Sequence, residues 1–159
     1  MSSSVFFRTV ISGFIATFVM AMIAFLLGGI GFPAIDIGYI LTESFNYSLP
    51  GDPYHIIFGN IAYNLGGILV ALIWVAFLQH KIPGNWIVQG LIYGLVISVV
   101  AGLVISPFVS MAAGEDFGLF YTNTWFPGRM IFAGLFMHLS FGLTLTLCLK
   151  VADVNEKES

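Results

Sequence analysis

Residues 130–149 read MIFAGLFMHLSFGLTLTLCL, twenty positions without a Lys, Arg, Asp or Glu. At about 1.5 Å per residue, such a run covers the roughly 30 Å hydrocarbon core of a bilayer as a helix. One ionisable residue, His138, sits in its middle. Gly134, His138, Gly142 and Thr146 recur every four residues, so they share one helix face. Small residues flanking a polar one suit close packing against another membrane helix.

The rest of the chain has the same solvent. Of its 159 residues, 58% are hydrophobic and 8% charged, and its mean hydropathy is +0.99. Soluble domains carry about 25% charged residues, and a domain of this size leaves about a third of its chain surface in water. So apolar a chain must face lipid. A net charge of −3 argues against nucleic acid as a partner. The single cysteine, Cys148, cannot form an internal disulfide.

Three further spans are expected. Residues 11–30, ISGFIATFVMAMIAFLLGGI, are longer than a signal-peptide core and lack its A-x-A exit. Residues 55–78 form the second span, with Asp52 and Pro53 as its start signal. Trp74 lies near its far end, where aromatics mark the membrane interface. A polar turn, QHKIPGN at 79–85, leads to the third span, 86–106. Its stripe Gly90, Gly94, Ser98 and Gly102 is the clearest small-residue ridge in the chain. Pro107 is expected to end or kink this span, and Pro127 to open the fourth.

The fold expected is therefore an all-α, four-helix membrane bundle occupying residues 1–150, followed by a polar tail, 151–159. Two longer connections join the spans. Within 31–54, Ile37, Ile40, Leu41 and Phe45 fall at helical spacing, as in a short interfacial helix, and a capping loop with a few anchoring side chains fits the same pattern. Within 109–128, Phe117, Phe120, Tyr121, Trp125 and Phe126 read as an aromatic belt. Arg8, Lys81, Lys150 and Lys157 fall on one side and Arg129 on the other, which places both termini in the cytoplasm.

Tandem hairpins are a further expectation. H-x-x-F-G occurs at 55–59 and again at 138–142, and glycine-led apolar runs begin at Gly13 and Gly90. Four helices, histidines on the second and fourth, and G-x-P-x-x-D at 31–36 together resemble small uncharacterised bacterial and archaeal membrane proteins of the domain-of-unknown-function type. That resemblance implies a prokaryotic inner membrane and this topology. It implies no activity and no site.

Chemistry has few candidate carriers. His138 is the foremost, because an ionisable group at mid-membrane is functional unless a partner accounts for it. It could hydrogen-bond Asn64 of the second span, at similar depth, with Asn60 one turn away on the same face. It could instead ligate haem or another metal, with His55 as the other available histidine, or line a proton or solute path. Met137 adjoins it but points about 100° away on a helix, which makes a poor copper pair. No H-E-x-x-H, G-x-S-x-G, paired-cysteine or phosphate-loop motif occurs. The small-residue ridges exceed what one bundle needs, so the leading expectation is a non-catalytic subunit or assembly partner of a larger membrane complex (a respiratory one, for example), or a homo-oligomer. A haem- or quinone-binding redox protein and a small-solute channel or carrier are the alternatives.

Overall fold

The computed structural model describes residues 1–32, 41–42, 55–112 and 127–152. Of the interfacial helix expected at 37–45 only residues 41–42 are described, and they are helical; the Asp52 cap, the aromatic belt at 117–126 and the tail beyond 152 lie outside the described residues. So do the side chains of His55 and Pro127.

All the described secondary structure is helical, and four helices are long and apolar enough to cross a membrane. Helix α1, Ser3–Gly29, begins eight residues before the expected 11. The Ser2 hydroxyl oxygen accepts from the Val5 N–H at 3.3 Å and caps it. The early start carries Arg8 within the helix, where its guanidinium donates to Ala152 O at 2.7 Å. At the other end of α1, Gly31 takes φ +90°, Gly31 N–H donates to Gly28 O, and Phe32 N–H donates to Leu27 O. This left-handed glycine closure satisfies carbonyls that the helix end leaves open.

Helix α2 is His55–Ile73 and runs on through a π-turn, Trp74–Leu78, in which Gln79 N–H reaches back five residues to Trp74 O. Asn85 caps α3, Trp86–Val100, its Oδ1 accepting from the N–H groups of Ile87 and Val88, both at 3.1 Å. A second π-turn, Ala101–Ile105, joins α3 to α4, Ser106–Ala112. Pro107 therefore does not end the third span. It has no N–H to return to Leu103, and the widened turn just before it absorbs that loss. The fourth span, α5, is Pro127–Val151 and starts at the expected proline.

Three seams hold the bundle: α1 with α2, α1 with α5, and α3 with α5. Arginines bracket the α1–α5 seam at both ends. Arg8 serves the last carbonyls of α5, and Arg129 reaches Gly31 O at 3.5 Å beyond the end of α1. Arg8, Lys81 and Lys150 thus lie at one end of the bundle, called here the basic end. The Lys150 ammonium stands 5.8 Å over the Trp86 ring at that end.

The other two seams pack alike. A Cβ on Gly13 would meet Ala71, Ile68 and Gly67 of α2, and a Cβ on Gly90 would meet Thr146, Leu143 and Gly142 of α5. Both neighbour sets have the spacing i, i+1, i+4, so the chain does fold as two similar hairpins. This packing makes Gly67 the counterpart of Gly142. The H-x-x-F-G match had paired Gly59 with Gly142, but Gly59 lies against Thr42 instead. In the packing register the counterpart of His138 is Tyr63, whose hydroxyl donates to Thr17 O of α1 at 3.4 Å.

Candidate functional site

Apart from the Tyr63 and Tyr93 hydroxyls, which reach a neighbouring helix, several polar side chains inside the spans turn back on their own helices. Thr9 donates to Val5 O, Thr17 to Gly13 O, Thr146 to Gly142 O and Ser140 to Met137 O, at 2.6 to 2.9 Å. In hydrocarbon the preceding turn's carbonyl is the nearest acceptor, and its use frees the helix from needing a neighbour. Asn64 follows the rule, its Nδ2 donating to Asn60 O at 2.9 Å. So does His138, whose Nδ1 lies 2.7 Å from Gly134 O. The expected bond between His138 and Asn64 is therefore not made. The reason is geometric as well as local: α2 and α5 share none of the bundle's main seams.

The Gly134 contact fixes the imidazole's chemistry. A carbonyl oxygen only accepts, so Nδ1 carries the proton. In the neutral ring Nε2 is then a bare acceptor. Among the described residues it has no partner. Nor is it sealed away, because Trp74 Nε1 is the only buried, unpartnered side-chain polar atom among them.

Direction explains this exposure. On α5, His138 falls on the same arc as Leu145 and Leu149, which are 0% and 2% exposed, yet His138 is only half-buried. The difference lies in what stands opposite. Near the basic end α2 and α3 touch through Tyr93, whose hydroxyl donates to Val70 O at 2.7 Å and whose ring lies 4.5 Å from that of Trp74. Further out, residues 60–70 of α2 and 95–105 of α3 include no fully buried position. Over that stretch α1 and α5 still bury Met20, Ala24, Ala133 and Met137. The α2–α3 seam is closed by Tyr93 at its basic half and has no fully buried position along 60–70 and 95–105, before Gly59, Ser106 and Pro107 are buried again further out; His138 lies on the inward arc of α5 in that outer half.

The remaining candidates fall as follows. Gly90 and Gly94 are buried against α5, and a Cβ at Gly94 would stand 2.6 Å from His138 O. Gly142 is buried against Gly90 and Gly94. Ser98, Gly102 and Gly134 are half-buried, and Gly102 lies within the second π-turn. Asn60 is exposed and supplies the carbonyl that holds Asn64. His55 opens α2. Met137 is 2% exposed in the core, and Cys148 is half-buried. No group of three His, Cys, Asp or Glu that could hold a metal ion occurs among the described residues. Trp74, expected at the interface, is 0% exposed beneath Tyr93, because its side chain points inward at that register. Trp86 is the tryptophan that meets a lysine at the bundle end.

One stability result follows. His138→Leu removes a hydrogen bond that its own helix supplied and strands no cross-helix partner. Thermal melting in detergent should move by less than about 1 kcal/mol, and His138→Gln should do the same. A loss of about 3 kcal/mol in the leucine variant alone would show that the ring ties two spans together after all.

No protein family, curated protein or solved structure matches the chain.

Proposed function

We propose that this chain is a membrane-embedded, non-catalytic binding protein whose site is His138, and that it holds a lipid-soluble redox molecule of the quinone–quinol class. The observation that carries this reading is the bare, accessible Nε2 near the middle of a span. An acceptor without a partner at that depth is costly, and a ligand that completes it removes the cost. Haem is the second reading, favoured by the same hydrogen bond. Nδ1–H held by a backbone carbonyl orients Nε2 as an axial ligand. The second axial ligand would have to come from outside the described residues.

An accessory subunit or homo-oligomer needs small-residue ridges left over for a partner. Gly13, Gly90, Gly94 and Gly142 are consumed inside the bundle, which removes most of that ground. A channel or carrier would need a path past Trp74, Tyr93, Leu145 and Leu149, each 2% exposed or less. The test is a visible spectrum and a solvent extract of the purified protein. A Soret band supports haem, and a co-purifying quinone absent from the His138→Leu variant supports the leading reading. A colourless protein without extractable ligand, running as a stoichiometric complex by native mass, would return the subunit reading.

We place the basic end in the cytoplasm, from the Lys and Arg asymmetry, and the chain in a prokaryotic inner membrane, as its resemblance to small bacterial and archaeal membrane proteins implies. A reporter fused after Ser159 should be active only in its cytoplasmic form. Activity in the exported form would invert the assignment.

A further inference from the structure

We propose that the open α2–α3 seam is a lateral gateway from the bilayer, and that it admits a ring carrying a hydroxyl group that donates to His138 Nε2. The inference rests on the reading of His138 as a binding site and adds the route and the ligand's hydrogen-bonding form.

The walls follow from the helix registers. On α3, Tyr93, Ile97 and Ala101 recur every four residues and so share a face. Tyr93 closes that face against α2 by its bond to Val70 O and its contact with the Trp74 ring. One and two turns on, Ile97 and Ala101 are half-buried with no closure of that kind. On α2, residues 60–70 likewise include no fully buried position, and the Asn64 amide is already engaged with Asn60 O. A molecule lying in the bilayer can therefore reach the inward arc of α5 without crossing a headgroup layer. The Tyr93–Trp74 contact is the floor that stops it.

The ligand's chemistry follows from the imidazole. With Nδ1–H committed to Gly134 O, Nε2 offers a lone pair and no proton. A quinone ring has carbonyl acceptors only, which oppose that lone pair. A quinol or phenol hydroxyl donates to it. No Lys, Arg, Asp or Glu lies within the described stretches that border the seam, 60–70, 95–105 and 131–142, so a charged headgroup finds no counter-ion there. The site therefore selects the reduced, neutral, hydroxyl-bearing form of a lipid-soluble ring.

The experiment compares an alkylated hydroquinone, kept reduced, with its dimethyl ether, which has the same shape and no donor. Binding is measured on the full chain in lipid nanodiscs against empty nanodiscs. The hydroquinone should bind at least about tenfold more tightly than the ether. His138→Leu should erase the preference. His138→Gln, whose amide oxygen still accepts, should retain part of it and shows that the effect is not misfolding. Ile97→Trp, which fills the seam and leaves His138 in place, should abolish binding of both probes. Equal binding of hydroquinone and ether in the wild type overturns the donor assignment. Undiminished binding in Ile97→Trp overturns the gateway. A haem spectrum lost in His138→Leu, with no hydroquinone binding, keeps the site but overturns this ligand. No binding above empty nanodiscs and no chromophore overturns both the inference and the reading beneath it.

Discussion

Gly142→Leu should pull α3 and α5 apart, and even Gly142→Ala should be felt. A Cβ at Gly142 would collide with the Gly90 carbonyl oxygen and come within 3.0 Å of Gly94 N and Cα. All of these are backbone atoms, so no rotamer change relieves the contact. Overpacking typically costs about 1–3 kcal/mol, and leucine against backbone should reach the upper end or beyond. Gly66 supplies the contrast. It is exposed on α2, and nothing lies within 4 Å of its Cβ position. Gly66→Ala should raise stability by about 0.5–1 kcal/mol through helix propensity alone. Melting of the two alanine variants should therefore shift in opposite directions. If Gly142→Ala melts at or above the wild-type temperature, the α3–α5 seam is looser than its glycines indicate.

The same contacts show which parts of the fold could be read from the sequence. Four spans were legible because runs without charge and a bilayer's thickness share a length scale. The ridge at Gly90 and Gly94 was legible because small residues every four positions mean close approach. Its partner was not, since a ridge of this kind looks the same whether it meets the chain's own helix or another protein's. Gly13 against Gly67 and Gly90 against Gly142 together consume what had looked like surplus. The repeat of residue identities is out of register with the packing for a related reason. H-x-x-F-G matched residue identities, whereas the packing repeats small residues at Gly67 and Gly142 and puts Tyr63 in the place of His138.

Local competition hid the rest. His138 and Asn64 share a depth, and depth suggested a bond. A carbonyl one turn back on the same helix is nearer than any neighbouring span, and both side chains take it. The consequence reaches the site itself. A cross-helix bond would have occupied the imidazole, whereas the own-helix bond fixes its tautomer and leaves Nε2 bare. The π-turns at Trp74–Leu78 and Ala101–Ile105 had no clear signal beyond Pro107. The Asn85 cap has a signal in the sequence, a polar acceptor directly before Trp86, but the same residue also closes the polar turn 79–85, and composition alone does not separate the two roles.

Tyr93→Ala should cost about 3–5 kcal/mol, as expected for removing a buried aromatic ring. Tyr93→Phe should cost only about 0.6–1.5 kcal/mol, the net worth of one hydrogen bond in this setting. The difference tests whether the α2–α3 contact rests on the ring or on the hydroxyl. The ring is 2% exposed and lies tilted by 34° against the indole of Trp74, itself 0% exposed. The hydroxyl bonds Val70 O, a carbonyl inside a helix that keeps its own backbone partner when the phenol is gone. Truncation to alanine leaves Trp74 facing the open half of the seam and removes the floor beneath His138. In a background carrying Trp86→Phe and Trp125→Phe, Trp74 is the remaining indole. Its fluorescence should be quenched by brominated lipid in Tyr93→Ala and spared in Tyr93→Phe. Equal losses in the two variants would place the closure in the hydrogen bond. Quenching in neither would mean that the seam is held shut by residues other than Tyr93, and a ligand arriving from the bilayer would then need another way to reach the imidazole.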